Sequence, residues 1–140
     1  MNSQKSTILL VEDDQNDVFL MEWAMQKAKL SIPMTVAVNG QEALDYLNGV
    51  EKYSDRAAYP IPAIILLDLK LPFVHGFEVL RWLRQQPAFR QLNVHILTAS
   101  DEPRDRQKAA ELGADGYLVK PPTPEMLLPI LQPLILASAS

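Results

Sequence analysis

Ala63-Ile64-Ile65-Leu66-Leu67-Asp68-Leu69-Lys70-Leu71-Pro72 decides the fold. Five apolar residues run without a polar break and then meet an acid. A strand with one face in water alternates apolar with polar residues. A continuous apolar run fits a strand covered on both faces, as in parallel sheets whose crossovers are helices. The acid at its end then stands at the carboxyl edge of the sheet.

Working outward, the same punctuation recurs. Thr7-Ile8-Leu9-Leu10-Val11 is a β-rich run, read as a first buried strand. From Asp14 to about Lys29, Val18, Met21, Ala24, Met25 and Ala28 recur at helical spacing. Pro33 ends that segment and residues 34–38 read as a second strand. Asn39-Gly40 opens a short helix through Leu47, closed by Asn48-Gly49. The polar, proline-punctuated stretch 49–62 reads as a loop. Downstream, a helix over about 76–85 carries Phe77, Leu80 and Leu83 on one side. A strand follows at 94–97, where His95 reads as a satisfied core or edge histidine. Next come a helix at 103–112 ended by Gly113, a strand at 117–119, and a last helix entered by Thr123-Pro124. Five strands alternating with five helices predict an α/β fold, a doubly wound five-stranded parallel sheet of flavodoxin-like (βα)5 type. The expected organisation is one domain over 1–140, with a core at about 6–125 and an apolar helix and tail at about 123–140.

Composition narrows the function classes. The chain has 140 residues, 48% hydrophobic and 21% charged, which suits one globular domain rather than a disordered segment. Cysteine is absent, which removes disulfides, thiol catalysis and cysteine-based zinc sites. A net charge of −4 argues against a general electrostatic grip on nucleic acid. The polar start, Met1-Asn2-Ser3-Gln4-Lys5-Ser6, lacks the apolar core of a signal peptide, and no apolar run is long enough to span a bilayer. A cytoplasmic protein without membrane attachment is the expectation.

In open α/β sheets ligands sit beyond the carboxyl ends of the strands. Those ends carry Glu12-Asp13-Asp14, Asp68, Thr98-Ala99-Ser100 and Lys120-Pro121. Each alone has an ordinary structural reading, as a cap or a solvated charge. Together they converge acids, a hydroxyl and an amine on one edge. Crowded carboxylates repel unless a cation neutralises them. All-oxygen ligands favour Mg²⁺, which binds through one or two carboxylates plus phosphate. With a metal screening the repulsion, Asp68 suits attack on a phosphoryl group, while Lys120 and Thr98 suit holding its oxygens.

On these residues the sequence resembles a known family. Val-Glu-Asp-Asp (11–14), Leu-Leu-Asp-Leu-Lys-Leu-Pro (66–72) with Gly76, Leu-Thr-Ala (97–99) and Gly-Ala-Asp-Gly-Tyr-Leu-Val-Lys-Pro (113–121) are similar, in order, to the receiver domain of two-component response regulators. The resemblance covers about residues 6–125. It implies that Asp68 is the phospho-acceptor and that Asp13 is a direct Mg²⁺ ligand. Glu12 would be a ligand through water and Lys70 a ligand through its carbonyl. It further implies that Thr98 and Lys120 contact the phosphoryl group, that Tyr117 is an aromatic switch coupled to Thr98, and that the 120–121 peptide is cis. Lys70 and Ser100 occupy positions that tune phosphoryl lifetime in the family. Phe73-Val74-His75-Gly76 departs from the family's usual Met-Asp-Gly, and His75 reads as a solvated loop residue rather than a metal ligand. The long segment 46–62 resembles stand-alone regulators paired with bacterial and cyanobacterial phytochromes. The implied function is a single-domain regulator, not an enzyme acting on a separate substrate. It would be phosphorylated by a sensor histidine kinase, a bacteriophytochrome among the candidates, or by a histidine phosphotransfer protein.

Three other readings fit less well. A dehalogenase-like phosphatase needs a second acid two residues after its aspartate, where this chain has Lys70. An FMN-binding module needs a hydroxyl- and glycine-rich phosphate loop, where Glu12-Asp13-Asp14 would repel phosphate. A degenerate receiver, used only for contact or dimerisation, lacks the polar set that is present here.

The end of the chain is unusual. Proline numbers 11, and Pro121, Pro122, Pro124, Pro129 and Pro133 fall close together. After Pro121 the only charge is Glu125, while Met126, Leu127, Leu128, Ile130, Leu131, Leu134, Ile135 and Leu136 leave no polar face except Gln132. Pro129 and Pro133 predict a kink or break. A helix apolar all round is expected to complete the core with one side and form a homodimer or partner interface with the other.

Overall fold

The computed structural model describes residues 6–139. The polar start at 1–5, Ser140 and the side chains of residues 136–139 lie outside the described residues. Five strands, β1 (Ile8–Val11), β2 (Met34–Ala37), β3 (Ile64–Leu67), β4 (Asn93–Thr98) and β5 (Gly116–Val119), alternate with helices α1 (Gln15–Lys27), α2 (Gly40–Asn48), α3 (Gly76–Gln85), α4 (Pro103–Glu111) and α5 (Pro124–Ala139). All strands pair in parallel in the order β2-β1-β3-β4-β5. The doubly wound parallel sheet is as the sequence predicts.

The strand alternation builds two cores. Leu9, Val11, Ile65, Leu67, Val94 and Ile96 face α2, α3 and α4, whose Leu47, Leu80, Leu83 and Ala109 complete that layer. Ile8, Leu10, Ile64, Leu66 and Leu97 face α1 and α5, meeting Met21, Met25, Leu127 and Leu131. This is why β1 and β3 are apolar at every position: both faces are covered. Truncating one such leucine to alanine costs about 2–5 kcal/mol.

The helix ends follow their sequence signals. Asp14 caps α1 by accepting from the Asn16 amide, and Asn39 caps α2 by accepting from the Glu42 amide. Gly49 closes α2 at φ +68°, a left-handed conformation that glycine adopts without strain. The Met126 amide donates to Thr123 Oγ1, fixing the entry to α5.

Three expectations need correction. The stretch 49–62 is not a plain loop. It contains a 3-10 turn at Glu51–Ser54, and Tyr46, Tyr53 and Tyr59 pack their rings within 5.0–5.9 Å of one another. Arg56 secures the cluster by donating to the carbonyls of Tyr46, Leu47 and Tyr59. Second, of the kink or break expected in α5, the break does not occur: the helix is continuous through both prolines. Pro129 and Pro133 lie four apart on its exposed side, so the carbonyls that lose an N–H partner face water. Third, His95 is not satisfied. It sits in the buried α5-side layer of β4, and its Nδ1 has no hydrogen-bond partner among the described residues. Among the described residues no helix is long and apolar enough to cross a membrane.

Candidate functional site

The strand order reverses between β1 and β3, and the crevice beyond their carboxyl ends gathers the acids. Backbone hydrogen bonds carry the strands one residue further: the Glu12 amide donates to the Ala37 carbonyl, that of Asp68 to Val11, and that of Lys120 to Thr98. Glu12, Asp68, Thr98 and Lys120 are therefore positioned by the sheet itself. Asp13 is exposed beside them.

Carboxylate oxygens of Glu12, Asp13 and Asp68 lie within 4.8 Å of one another. Glu12 is 2% exposed and Asp68 6%. Lys120 reaches across from the end of β5. Its ammonium lies 2.6 Å from Glu12 Oε1, 2.8 Å from Asp17 Oδ2 and 2.9 Å from Asp68 Oδ2. Burial lifts the Glu12 carboxyl up to about 7, with the nearby Asp68 adding to the effect and Lys120 opposing it. Burial works against the charge on Lys120, but its three carboxylate partners outweigh that and hold the ammonium above the usual lysine range. Three carboxylates pair with one ammonium, and Asp13 lies close to two of them, so the cluster retains excess negative charge. The donors are all hard oxygens, which fits a divalent cation of the Mg²⁺ or Mn²⁺ kind.

Thr98 is buried at the end of β4, and the Ser100 amide lies 3.5 Å from its Oγ1. Ser100 Oγ donates to Asp105 on α4, and the Tyr117 hydroxyl donates to the Ser100 carbonyl. The guanidinium of Arg106 covers the Tyr117 ring at 4.8 Å. The loop after Thr98 is thus tied to α4 and to β5. The Lys120-Pro121 peptide is cis, in agreement with the sequence reading.

On the β3–α3 side, the Lys70 amide lies 3.4 Å from Asp68 Oδ1, and the Gly76 amide donates to the Leu69 carbonyl. A Cβ at Gly76 would stand 2.7 Å from Leu69 Cα and closer still to the Asp68 carbonyl, so only glycine fits there. Phe73 holds φ +68° and is 87% exposed. His75 is exposed, as the sequence reading expects, and also caps α3: its Nδ1 accepts from the Phe77 amide.

The sequence reading places Glu12, Asp13, Asp68, Thr98 and Lys120 together, and the structure does bring them to one crevice. It misses Asp17. The first turn of α1 carries this acid back over the end of β5, where it meets a lysine 103 positions away in the chain. The available signal was its place three residues after the Asp14 cap.

Comparison with known proteins agrees with this geometry. The family model described as the response regulator receiver domain matches residues 8–132. The chain is 34% identical over 117 residues to the alkaline phosphatase synthesis transcriptional regulatory protein PhoP of Bacillus subtilis, covering 84% of this chain and 43% of that protein. It therefore spans less than half the length of that relative. It is 33% identical over 113 residues to the response regulator Rcp1 of Synechocystis sp., covering 81% of this chain and 75% of Rcp1. A solved structure of the Mn(2+)-bound form of Rcp1 superposes with a TM-score of 0.75 at 30% identity, covering 92% of this chain and 91% of that one. The bacteriophytochrome response regulator RtBRR superposes with a TM-score of 0.81 at 41% identity, covering 94% of this chain and 78% of that one.

Proposed function

Because the chain belongs to the response regulator receiver domain family, we propose that Asp68 accepts a phosphoryl group from the phosphohistidine of a sensor histidine kinase or histidine phosphotransfer protein. The observation that carries this reading is the Lys120 ammonium 2.9 Å from Asp68 Oδ2 inside a crevice of carboxylates. An Asp68 oxygen forms the new bond to phosphorus as the nitrogen–phosphorus bond breaks, and the electron pair stays on the departing imidazole. Lys120 and the Thr98 hydroxyl hold the phosphoryl oxygens. Glu12, Asp13, Asp68 and the Lys70 carbonyl are the residues that would hold Mg²⁺, whose charge would offset repulsion between carboxylate and phosphate. The domain turns over no separate substrate; its own chemistry is self-phosphorylation and slow loss of the phosphoryl group.

The output passes through protein contacts. Phosphorylation adds about −1.5 to −2 charge at the crevice, next to the Thr98–Ser100 loop that holds α4 and Tyr117. Phe19, Leu20 and Trp23 are exposed on α1 beyond Asp17, and Phe73 is exposed on the opposite lip. Together they offer apolar contact for a docking kinase. The likeness to RtBRR favours a kinase of the phytochrome class. On α5, Pro129, Gln132 and Pro133 are exposed, and Glu125 is the only charged residue of the helix itself, which supports a homodimer through this helix. The net charge of −4 makes nucleic acid an unsuitable partner, and the cytoplasm is the proposed compartment.

Phosphotransfer tests the reading. A histidine kinase labelled on its histidine should pass the label to this chain in the presence of Mg²⁺ and not to the Asp68→Asn variant. Label on both would move the acceptor elsewhere. Label on neither, with any kinase or small donor, would favour a degenerate receiver used only as an interaction module. Sedimentation with and without phosphodonor tests the dimer, and a monomer at tens of micromolar in both conditions would exclude it.

A further inference from the structure

The loop that leaves Asp68 returns to it. Leu69 follows Asp68 directly, and Gly76 at the far end lies against the backbone of Asp68 and Leu69. Phe73 is three residues from Gly76, so their Cα atoms are at most about 11 Å apart. A protein that delivers a phosphoryl group to Asp68 covers the rim on which Phe73 stands.

Phe73 burdens the fold twice. The Val74 amide donates to the Pro72 carbonyl across it over 2.8 Å, which makes a γ-turn. Its φ of +68° is one that glycine adopts freely and a bulky side chain does not. The neighbours hold the turn in place. Leu71 and Val74 pack against the apolar core, and Val74 is pressed on Gly40 at the start of α2, where a Cβ would stand 2.7 Å from Val74 Cβ. The Phe73 ring shares in none of this packing and is 87% exposed. Glycine would make the same turn with neither strain nor an exposed ring. Strain held in place by its surroundings marks functional positions, and the contact that this ring makes lies outside the chain.

We propose that Phe73 is a partner-selecting anchor: its ring enters an apolar pocket beside the phosphohistidine of the donor protein, and the strained turn holds it out for that contact. Phe73 takes no part in the chemistry and is a specificity-determining residue, so a small donor without a protein surface does not sense it. This inference rests on Asp68 being the phosphoryl acceptor.

The test compares two donors on the full chain with Mg²⁺. One is acetyl phosphate; the other is the cytoplasmic region of a sensor histidine kinase, labelled on its histidine, that labels the unmodified chain. In Phe73→Gly the ratio of the kinase rate to the acetyl phosphate rate should fall about tenfold, the loss of one well-packed apolar anchor. The urea midpoint of the same variant should rise, because glycine relieves the left-handed strain. Phe73→Leu keeps the apolar bulk and should keep most of the ratio. An unchanged ratio in Phe73→Gly, a fall of both rates together, an equal loss in Phe73→Leu or a lower urea midpoint in Phe73→Gly would each overturn the proposal. An unchanged ratio with loss of self-association in sedimentation would give the ring to a second copy of the chain instead. A chain that takes the group from acetyl phosphate but from no kinase would overturn this inference and leave the acceptor reading standing. Failure with both donors would overturn the acceptor reading as well.

Discussion

The hydroxyl of Tyr117 donates to the carbonyl of Ser100 over 2.8 Å, fastening β5 to the loop that leaves Thr98. Ser100 in turn donates to Asp105 over 2.6 Å, so the loop is held between a strand and the first turn of α4. Tyr117→Phe removes one hydrogen bond and keeps the ring beneath Arg106. It should cost about 1 kcal/mol. Amide exchange at residues 100–102 should accelerate, while Mg²⁺ binding at the carboxylates should hold. Unchanged exchange in that loop would mean that Arg106 stacking, not the hydroxyl, keeps it in place.

Arg84 ties the far end of the sheet. Its guanidinium donates to the carbonyls of Leu92 and Gly113 and pairs with Asp115 at 3.0 Å, and Asp115 accepts from the Val94 amide. Arg84→Ala strands several carbonyls that are partly shielded from water. We expect a loss of about 2–3 kcal/mol in urea unfolding, with phosphorylation of the folded protein unaffected. Lysine at this position cannot reproduce the fork and should recover little of the loss.

Gly76 stands where the backbone of Asp68 and Leu69 passes within contact distance. Gly76→Ala has no room for its methyl group and must displace that backbone. Weaker Mg²⁺ binding is expected alongside lower stability, read by a metal titration at a temperature where the variant stays folded. A variant that loses stability but binds Mg²⁺ normally would show that the displacement is taken up by α3 instead.

His95 gives the fold a pH dependence of its own. Burial holds its imidazole below the usual histidine range, against a weak upward pull from Asp115. The folded state disfavours the charged ring, so the neutral form's stability is intact above 6.5, the ordinary histidine value. As pH falls below that value the unfolded chain takes up a proton that the folded chain refuses, and stability drops until the folded ring also titrates. Urea midpoints measured from pH 8 to 5 should fall more for the unmodified chain than for His95→Leu. Parallel curves would assign the pH dependence to other groups.

The sequence made the sheet legible because its strands needed no interpretation. At 64–67 and 8–11 every residue is apolar and every side chain is buried. The site was legible for the same reason: Glu12, Asp68 and Lys120 follow directly on apolar runs. Asp17 was not, because its partner lies on another element and the contact depends on where the first turn of α1 sits above β5. The tyrosine cluster was hidden because Tyr46 lies in α2, Tyr53 in the 3-10 turn and Tyr59 in the loop beyond it, so no one element's periodicity relates them, and Arg56 binds Tyr46 and Tyr59 through carbonyls, which carry no sequence signal. The course of α5 depended on which side its prolines face. Pro129 and Pro133 face outward, and the helix continues past them while Leu127 and Leu131 hold it to the sheet.

The central claim is that Asp68 is the phosphoryl acceptor of a cation-dependent site. The most direct measurement is intact mass after incubation with acetyl phosphate. With Mg²⁺ the chain should gain one phosphoryl group, and it should gain none with a chelator or in the Asp68→Asn variant. A phosphoryl group that appears without a divalent cation, or that persists in Asp68→Asn, would contradict the account.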